Sequence, residues 1–419
     1  MWKNKKRRKI ALGVIGFALI LAVFGILSTG CFQQKQEPRD IETVSDGVES
    51  NAALVNDGKE ADSLKVSGKS AILMDADSGT VIYQQDSHKE LPPASVTKIM
   101  TMLLAMEAVD AGKIKLTDVI TISEQAASMG GSQMYMEVGE THTLEELLIG
   151  MAVASANDAA IAVAEYVAGS EEVFVEKMNQ RAKELGMGDT HFSNTNGLPV
   201  TEHYTSAYDI AVMSRELLRH EQVKPWLSTW EKTMKVGLPG KETELGLTNT
   251  NKLIKTYPGA FGIKTGFTQE AGYCLSAAAT KENTTFIAVV MGSETSKIRN
   301  AEVAKLLNYG FANYASVTLA EAGEKVKEVQ LDKGDPYQFY AITASKATAF
   351  VKKGSEEGAT KKMNIDKNLT LPIQKGDKVG TMDIYAGEKK LGSCDLISDR
   401  DVKKADFFTY YIRLIKNLF

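Results

Sequence analysis

The sequence predicts an α+β protein, with an antiparallel sheet flanked by helices and interrupted by a helical insert, followed by a small all-β C-terminal domain. Three observations predict it. Strand-like runs fall in two groups, 71–83 and 261–290, and the chain between 95 and 218 carries helical periodicity instead. Beyond Ser316 the pattern changes to short runs split by the turns Lys333-Gly334-Asp335, Lys375-Gly376-Asp377 and Ala386-Gly387-Glu388. A chain of 419 residues can bury the cores of two or three domains.

At the N-terminus, Lys3, Lys5, Lys6, Arg7, Arg8 and Lys9 precede an apolar run from Ile10 to Leu27. That run approaches a membrane span in length, and its basic flank orients the rest of the chain outward from the cytoplasm. Residues 1–30 read equally as an uncleaved anchor or as a cleaved signal. Cys31 after Ser28-Thr29-Gly30 is a weaker sign of a lipoprotein processing site, because serine stands where such sites carry an aliphatic residue. Residues 31–66 are polar, lack apolar periodicity and read as a flexible tether, with order expected from near Ser70.

Ala71–Met74 and Thr80–Tyr83 predict two strands joined by a turn over 75–79. Ser95 follows Pro92-Pro93 and starts a helix carried by Val96, Ile99, Met100, Leu103 and Leu104. Thr143-Leu144-Glu145-Glu146 is a capping box. Asp158 is read as the cap of a helix over 159–168, Glu171 to Leu185 as another ending at Gly186, and Ser206–Asp209 as the start of a third. Strands follow at 261–265, 273–277 and 285–290, then a helix from about Ile298 to Tyr314. In the tail, Phe407, Tyr411, Leu414 and Leu418 share a helical stripe widened by Phe408 and Ile415. A helix lying in a membrane interface fits this stripe, and a helix packed on the β domain is the competing reading.

A net charge of −4 without basic clusters beyond the N-terminus gives no reason to expect nucleic acid. His88, His142, His191, His203 and His220 show no metal-ligand spacing, so neither metal nor cofactor is implied. Cys274 and Cys394 read as small buried residues.

Three motifs carry chemistry: Ser95-Val96-Thr97-Lys98, Ser155-Ala156-Asn157 and Lys264-Thr265-Gly266. A serine hydroxyl needs a base to attack a carbonyl, and Lys98 lies three residues along the same helix face. Lys98 must be neutral at that moment. Burial and a second cation, for which Lys264 is the natural source, would lower its pKa from about 10.4. Asn157 can hold Lys98 together with a substrate amide, and Ser155 can relay a proton to the leaving amine. Lys264 and Thr265 offer a cation and a hydroxyl to a carboxylate, while Gly266 lets a substrate backbone lie along the strand edge. The oxyanion donors are expected to be the backbone N–H groups of Ser95 and of a residue near Thr268.

On these motifs the chain resembles the low-molecular-mass penicillin-binding proteins, the serine-type D-alanyl-D-alanine carboxypeptidases of the peptidase S11 family. Further likenesses are Thr190-His191-Phe192, Asn196-Gly197-Leu198, Tyr204-Thr205-Ser206-Ala207 with Asp209, and Ala271-Gly272-Tyr273. Arg299, in Ile298-Arg299-Asn300, falls where the family carries an arginine. It either adds positive potential for the substrate carboxylate or forms a structural salt bridge. The resemblance implies a transpeptidase/β-lactamase-like catalytic domain over 67–315, a β-sandwich domain over 316–399 and an amphipathic helix over 400–419. It implies removal of the terminal D-alanine from peptidoglycan stem peptides ending in D-Ala-D-Ala, through a Ser95 acyl-enzyme that β-lactams also form. The expected place is the extracytoplasmic face of the bacterial cytoplasmic membrane. A class A β-lactamase would need a Glu-x-x-Leu-Asn segment between the second and third motifs, and none occurs. A wall-binding protein that kept the pocket but lost turnover is a further candidate. So is an endopeptidase acting on cross-links.

Overall fold

The computed structural model describes residues 64–416, with side chains to residue 413. The N-terminal anchor or signal, Cys31, the tether up to residue 63 and Leu418 of the terminal stripe lie outside the described residues. The last residues of the expected tether are already packed. Leu64 and Val66 are 4% and 5% exposed, and the Val66 N–H donates to Gln85 Oε1 at 3.1 Å. Both side chains join the apolar layer under the sheet, so packing starts ahead of Ser70.

Five strands form the central sheet: β1 (Ser70–Asp75), β2 (Val81–Gln85), β3 (Ala260–Thr268), β4 (Gly272–Lys281) and β5 (Thr284–Ser293). Their order is β2-β1-β5-β4-β3, antiparallel throughout, which brings the two sequence-distant groups of strands together. Alternation along β1 divides the core. Ile72 and Met74 face the helical insert, whereas Ala71 and Leu73 face the helix Ser296–Asn313 with Phe286, Ala288 and Val290. Both faces are therefore covered, and the middle strands are apolar on both sides over Ala71–Met74 and Phe286–Met291.

The insert contains the helices Lys98–Asp110, Leu144–Ala154, Asn157–Ala168, Glu171–Glu184 and Ala207–Leu217. The Thr143 capping box forms with Glu146, and Ser206 caps the helix at Ala207. Two expectations need correction. Ser95 does not stand on an α-helix, because Ala94–Thr97 is a 3₁₀ turn and the α-helix begins at Lys98. Asp158 is not a cap, since the helix already begins at Asn157 behind Ala156. Its carboxylate instead accepts from the Met134 N–H at 2.9 and 3.1 Å and from the Met136 N–H at 3.4 Å. A hairpin, Glu231–Val236 with Thr243–Thr248, is an addition that the sequence pattern does not announce.

The C-terminal part has its own core around Phe339, Val379, Met382 and Leu396. One sheet holds Lys325–Gln330, Gln338–Thr343, Lys389–Ser398, Lys378–Ala386 and Ala359–Ile365 in that order, and Tyr314–Ala320 pairs with Ala347–Lys352. Lys403–Lys404 pairs with Gly334–Asp335, so the β structure reaches past residue 400, and the terminal helix starts at Phe407 and is described to Lys416. No described helix is long and apolar enough to cross a membrane. Cys274 and Cys394 are buried free thiols, and burial pushes Cys274 up to about 11.

Candidate active site

Ser95 sits on the 3₁₀ turn that meets the edge strand β3. Two glycines let neighbouring backbone close on this turn. A Cβ at Gly197, where φ is +87°, would lie 1.9 Å from the Ala94 carbonyl oxygen. A Cβ at Gly266 would lie 2.8 Å from the Pro93 carbonyl oxygen and 3.1 Å from Ala94 and Val96 side-chain carbons. Gly266 is thus needed for the strand to pack on the nucleophile turn, a different reason from the substrate approach expected of it. Ala94 itself adopts φ +48°, unusual for a residue with a side chain.

Lys98 is fully buried. Its Nζ donates to Ser95 Oγ at 3.2 Å, Asn157 Oδ1 at 2.7 Å and the Asn196 carbonyl at 2.7 Å. Burial holds its pKa well below the usual lysine value; the Lys264 cation lowers it further and Asp158 opposes the shift. The expected pairing of burial with a second cation is present. Lys264, 1% exposed, is itself lowered to about 7, first by burial and then by Arg299, and its Nζ donates to the Thr265 carbonyl at 3.1 Å.

Asn157 holds Lys98, but its Nδ2 donates to the Gly130 carbonyl at 2.7 Å and its backbone N–H to the Ser132 carbonyl. One of the two Nδ2 protons is therefore held by the Met129–Ser132 segment, which borders the site, and the other is left for a substrate amide. Ser155 is 4% exposed at the left-handed end of its helix, φ +64°. Thr265 shares a 2.5 Å hydrogen bond with Thr250, a neighbour that sequence reasoning misses because residue 250 belongs to no motif.

The remaining two residues stand further out. Thr268 closes the β3–β4 turn, its hydroxyl accepting from the Ala271 N–H at 3.0 Å. Arg299 is 4% exposed, donates to the Cys274 carbonyl and Asn300 Oδ1, and has no ion pair among the described residues. Burial pulls it down to about 10, so it remains a cation at neutral pH and acts on Lys264. A salt-bridge role for Arg299 finds no support here.

A half-buried serine hydrogen-bonded to a fully buried lysine with a second lysine beside it, on a turn capped by an edge strand, is equipment suited to an acyl-transferring serine hydrolase. Residues 57–295 match the peptidase S11 family, D-alanyl-D-alanine carboxypeptidase, and residues 314–404 match the penicillin-binding protein 5 C-terminal domain. The chain is 44% identical to the D-alanyl-D-alanine carboxypeptidase DacF of Bacillus subtilis, over 87% of this chain and 93% of that protein. It is 33% identical to DacC of Escherichia coli, over 82% and 86%. Penicillin-binding protein 5 of Haemophilus influenzae superposes with TM-score 0.64 at 31% identity, over 81% of this chain and 98% of that one. The chain belongs to the peptidase S11 family of serine-type D-alanyl-D-alanine carboxypeptidases.

Proposed function

We propose that this chain removes the terminal D-alanine from peptidoglycan stem peptides ending in D-Ala-D-Ala through an acyl-enzyme on Ser95. Neutral Lys98 takes the Ser95 proton as Oγ attacks the penultimate D-alanine carbonyl. The oxyanion is held by the Ser95 N–H and a backbone N–H near Thr268 at the end of β3. As the tetrahedral intermediate collapses, the C–N bond breaks, and Ser155 relays the proton from Lys98 to the departing amine. Lys264 and Arg299 supply the positive field for the terminal carboxylate, and the Thr265 hydroxyl donates a hydrogen bond to it. The substrate lies as an added strand along β3, whose outer edge pairs with no other described strand. Water then cleaves the ester, and β-lactams stall at that stage. The observation that carries the reading is Lys98 Nζ, buried and depressed, at 3.2 Å from Ser95 Oγ.

The test is D-alanine release by the detergent-solubilised full chain from a peptide ending in D-Ala-D-Ala, beside Ser95→Ala. Release that is stereospecific, blocked by penicillin and lost in the mutant supports the reading. Penicillin labelling without any release would refute turnover and favour a wall-binding role.

For placement, we propose the extracytoplasmic face of the cytoplasmic membrane, with Phe407–Lys416 lying in the interface. Phe407 and Phe408 are 73% and 74% exposed, Tyr411 and Ile412 both 53%, while Arg413 turns the other way and donates to the carbonyls of Asp332 and Gly334. Anionic vesicles should co-sediment the chain, less so after Phe407→Asp with Phe408→Asp; equal binding by that variant would remove this helix from the account. The domain plan of 67–315, 316–399 and 400–419 stands in this proposal with the β part extended to residue 404.

A further inference from the structure

Beneath the nucleophile turn, a set of hydrogen bonds runs in one direction. His203, 7% exposed, lies on the loop leading to the helix at Ala207. Its Nδ1 accepts from the Ser193 backbone N–H at 2.9 Å, which leaves the ring proton on Nε2. Nε2 faces Thr97 Oγ1 at 2.8 Å, and that hydroxyl donates to the Ala94 carbonyl at 2.9 Å. With Ser193 donating at one end and a carbonyl accepting at the other, each intervening group has one proton to give and one lone pair to offer. The order is Ser193 to His203 to Thr97 to Ala94. A charged ring could not accept from Ser193. Burial, aided by His191, lowers His203 to about 4, so the neutral tautomer persists at physiological pH.

The end point is the peptide that precedes Ser95. The Ala94 carbonyl and the Ser95 N–H are opposite ends of one planar trans unit. Holding the carbonyl against buried Thr97 turns the N–H to the side opposite Thr97, and so fixes the direction in which it can donate to an oxyanion. Ala94 at φ +48° would not keep this orientation unaided, since a left-handed alanine relaxes unless its surroundings hold it. A threonine bonding back to a carbonyl three residues earlier is common. The histidine adds direction, by occupying the hydroxyl's acceptor side so that its proton goes only to Ala94. We propose that His203 is a positioning residue which, through Thr97, fixes the Ser95 backbone N–H as an oxyanion donor. This deepens the carboxypeptidase reading and rests on its assignment of Ser95 as nucleophile.

The test uses the detergent-solubilised full chain and two readouts, the penicillin acylation rate constant and kcat with KM for D-alanine release. His203→Leu keeps the ring volume but offers no donor. It should lower acylation and kcat by about 10- to 100-fold, less than deletion of an oxyanion donor, with KM within about twofold. His203→Gln places an amide donor near the Nε2 position and should recover to within about threefold of the parent. Thr97→Val should match His203→Leu, the double variant should be no worse than either single, and Thr97→Ser should stay near the parent. A folded His203→Leu chain with parental kcat overturns the proposal, as does equal impairment of the Leu and Gln variants. If His203→Leu fails to fold, the Thr97→Val and Thr97→Ser pair decides, and equal rates for these two overturn it. A parent chain that is acylated by penicillin yet releases no D-alanine defeats the carboxypeptidase reading, while the acylation rates still judge this one.

Discussion

Gly197→Ala isolates how closely the 194–198 loop must approach the nucleophile turn. The added methyl would stand 1.9 Å from the Ala94 carbonyl oxygen, 2.3 Å from its carbon and 2.9 Å from Ser95 N. An ordinary carbon–oxygen contact is about 3.3 Å or longer, so the turn or the loop must retreat by roughly 1.4 Å. The same loop supplies the Asn196 carbonyl that holds Lys98 and the Thr195 carbonyl that accepts from Thr101. A displacement of that size at the reacting group costs on the order of 10²-fold in rate. Overpacking and the positive φ together cost about 2–5 kcal/mol, a melting-temperature fall of about 5–15 °C. Gly186→Ala is the control: φ is +71°, yet a Cβ there meets nothing within 4 Å. It should lose about 1–2 kcal/mol of stability and none of the acylation rate. The assay is the second-order rate constant for acylation by a fluorescent penicillin, with a thermal melt of each variant. Acylation by Gly197→Ala within about threefold of the parent, at a melting temperature within about 2 °C, would refute the steric reasoning.

Lys264→Met should stabilise the fold while disabling the site. The Lys264 pKa falls from 10.5 unfolded to about 7 folded, so the unfolded chain holds more protons between those values and parent stability rises with pH across that window. The variant lacks this cost; its advantage should reach a few kcal/mol near pH 7 and shrink toward pH 10.5. Chemical denaturation at several pH values checks it, and a variant less stable than the parent at pH 7 would be the contrary result. Asn157→Asp sets a carboxylate where Oδ1 now lies 2.7 Å from Lys98 Nζ. Lys98 then keeps its proton to higher pH, and penicillin acylation at pH 7 should drop by about 10²-fold or more, recovering partly as pH rises. Unchanged acylation at pH 7 would mean that Lys98 is not the base.

What could be read from the sequence was whatever repeats along a helix or strand, or sits in a short motif. The paired strands, the capping box at Thr143 and the Ser95–Lys98–Asn157 cluster all belong to that kind. Apart from the local 3₁₀ turn at Ser95, what the sequence did not show depends on contacts between segments far apart in the chain. Asp158 looks like a cap, yet its partners are the amides of Met134 and Met136 on a loop that comes before it. Asn157 is readable as the partner of Lys98, whereas its tie to the Gly130 carbonyl comes only with the fold. Gly266 is readable as room for a substrate backbone and Gly197 as part of a motif, whereas only the fold shows that both let the chain close on the Ser95 turn. Thr250 and His203 belong to no catalytic motif, and only the fold brings them beside Thr265 and Thr97.

The site is held together by keeping its cations away from acids. Lys98 donates only to a hydroxyl, an amide oxygen and a carbonyl; Lys264 donates to a carbonyl; Arg299 donates to a carbonyl and an amide oxygen. Neutral acceptors satisfy the N–H groups without fixing the charge, so burial is free to depress the two lysines. Asp158 is the acid that acts on Lys98, and its carboxylate is committed to backbone amides of Met134, Met136 and Ala159. A carboxylate turned onto Lys98 would make a buried ion pair and hold the lysine protonated, which is incompatible with the base role proposed for it. The arrangement therefore gives up stability at three buried basic groups to depress Lys98, and the two-faced sheet core and packed helical insert have to carry that cost.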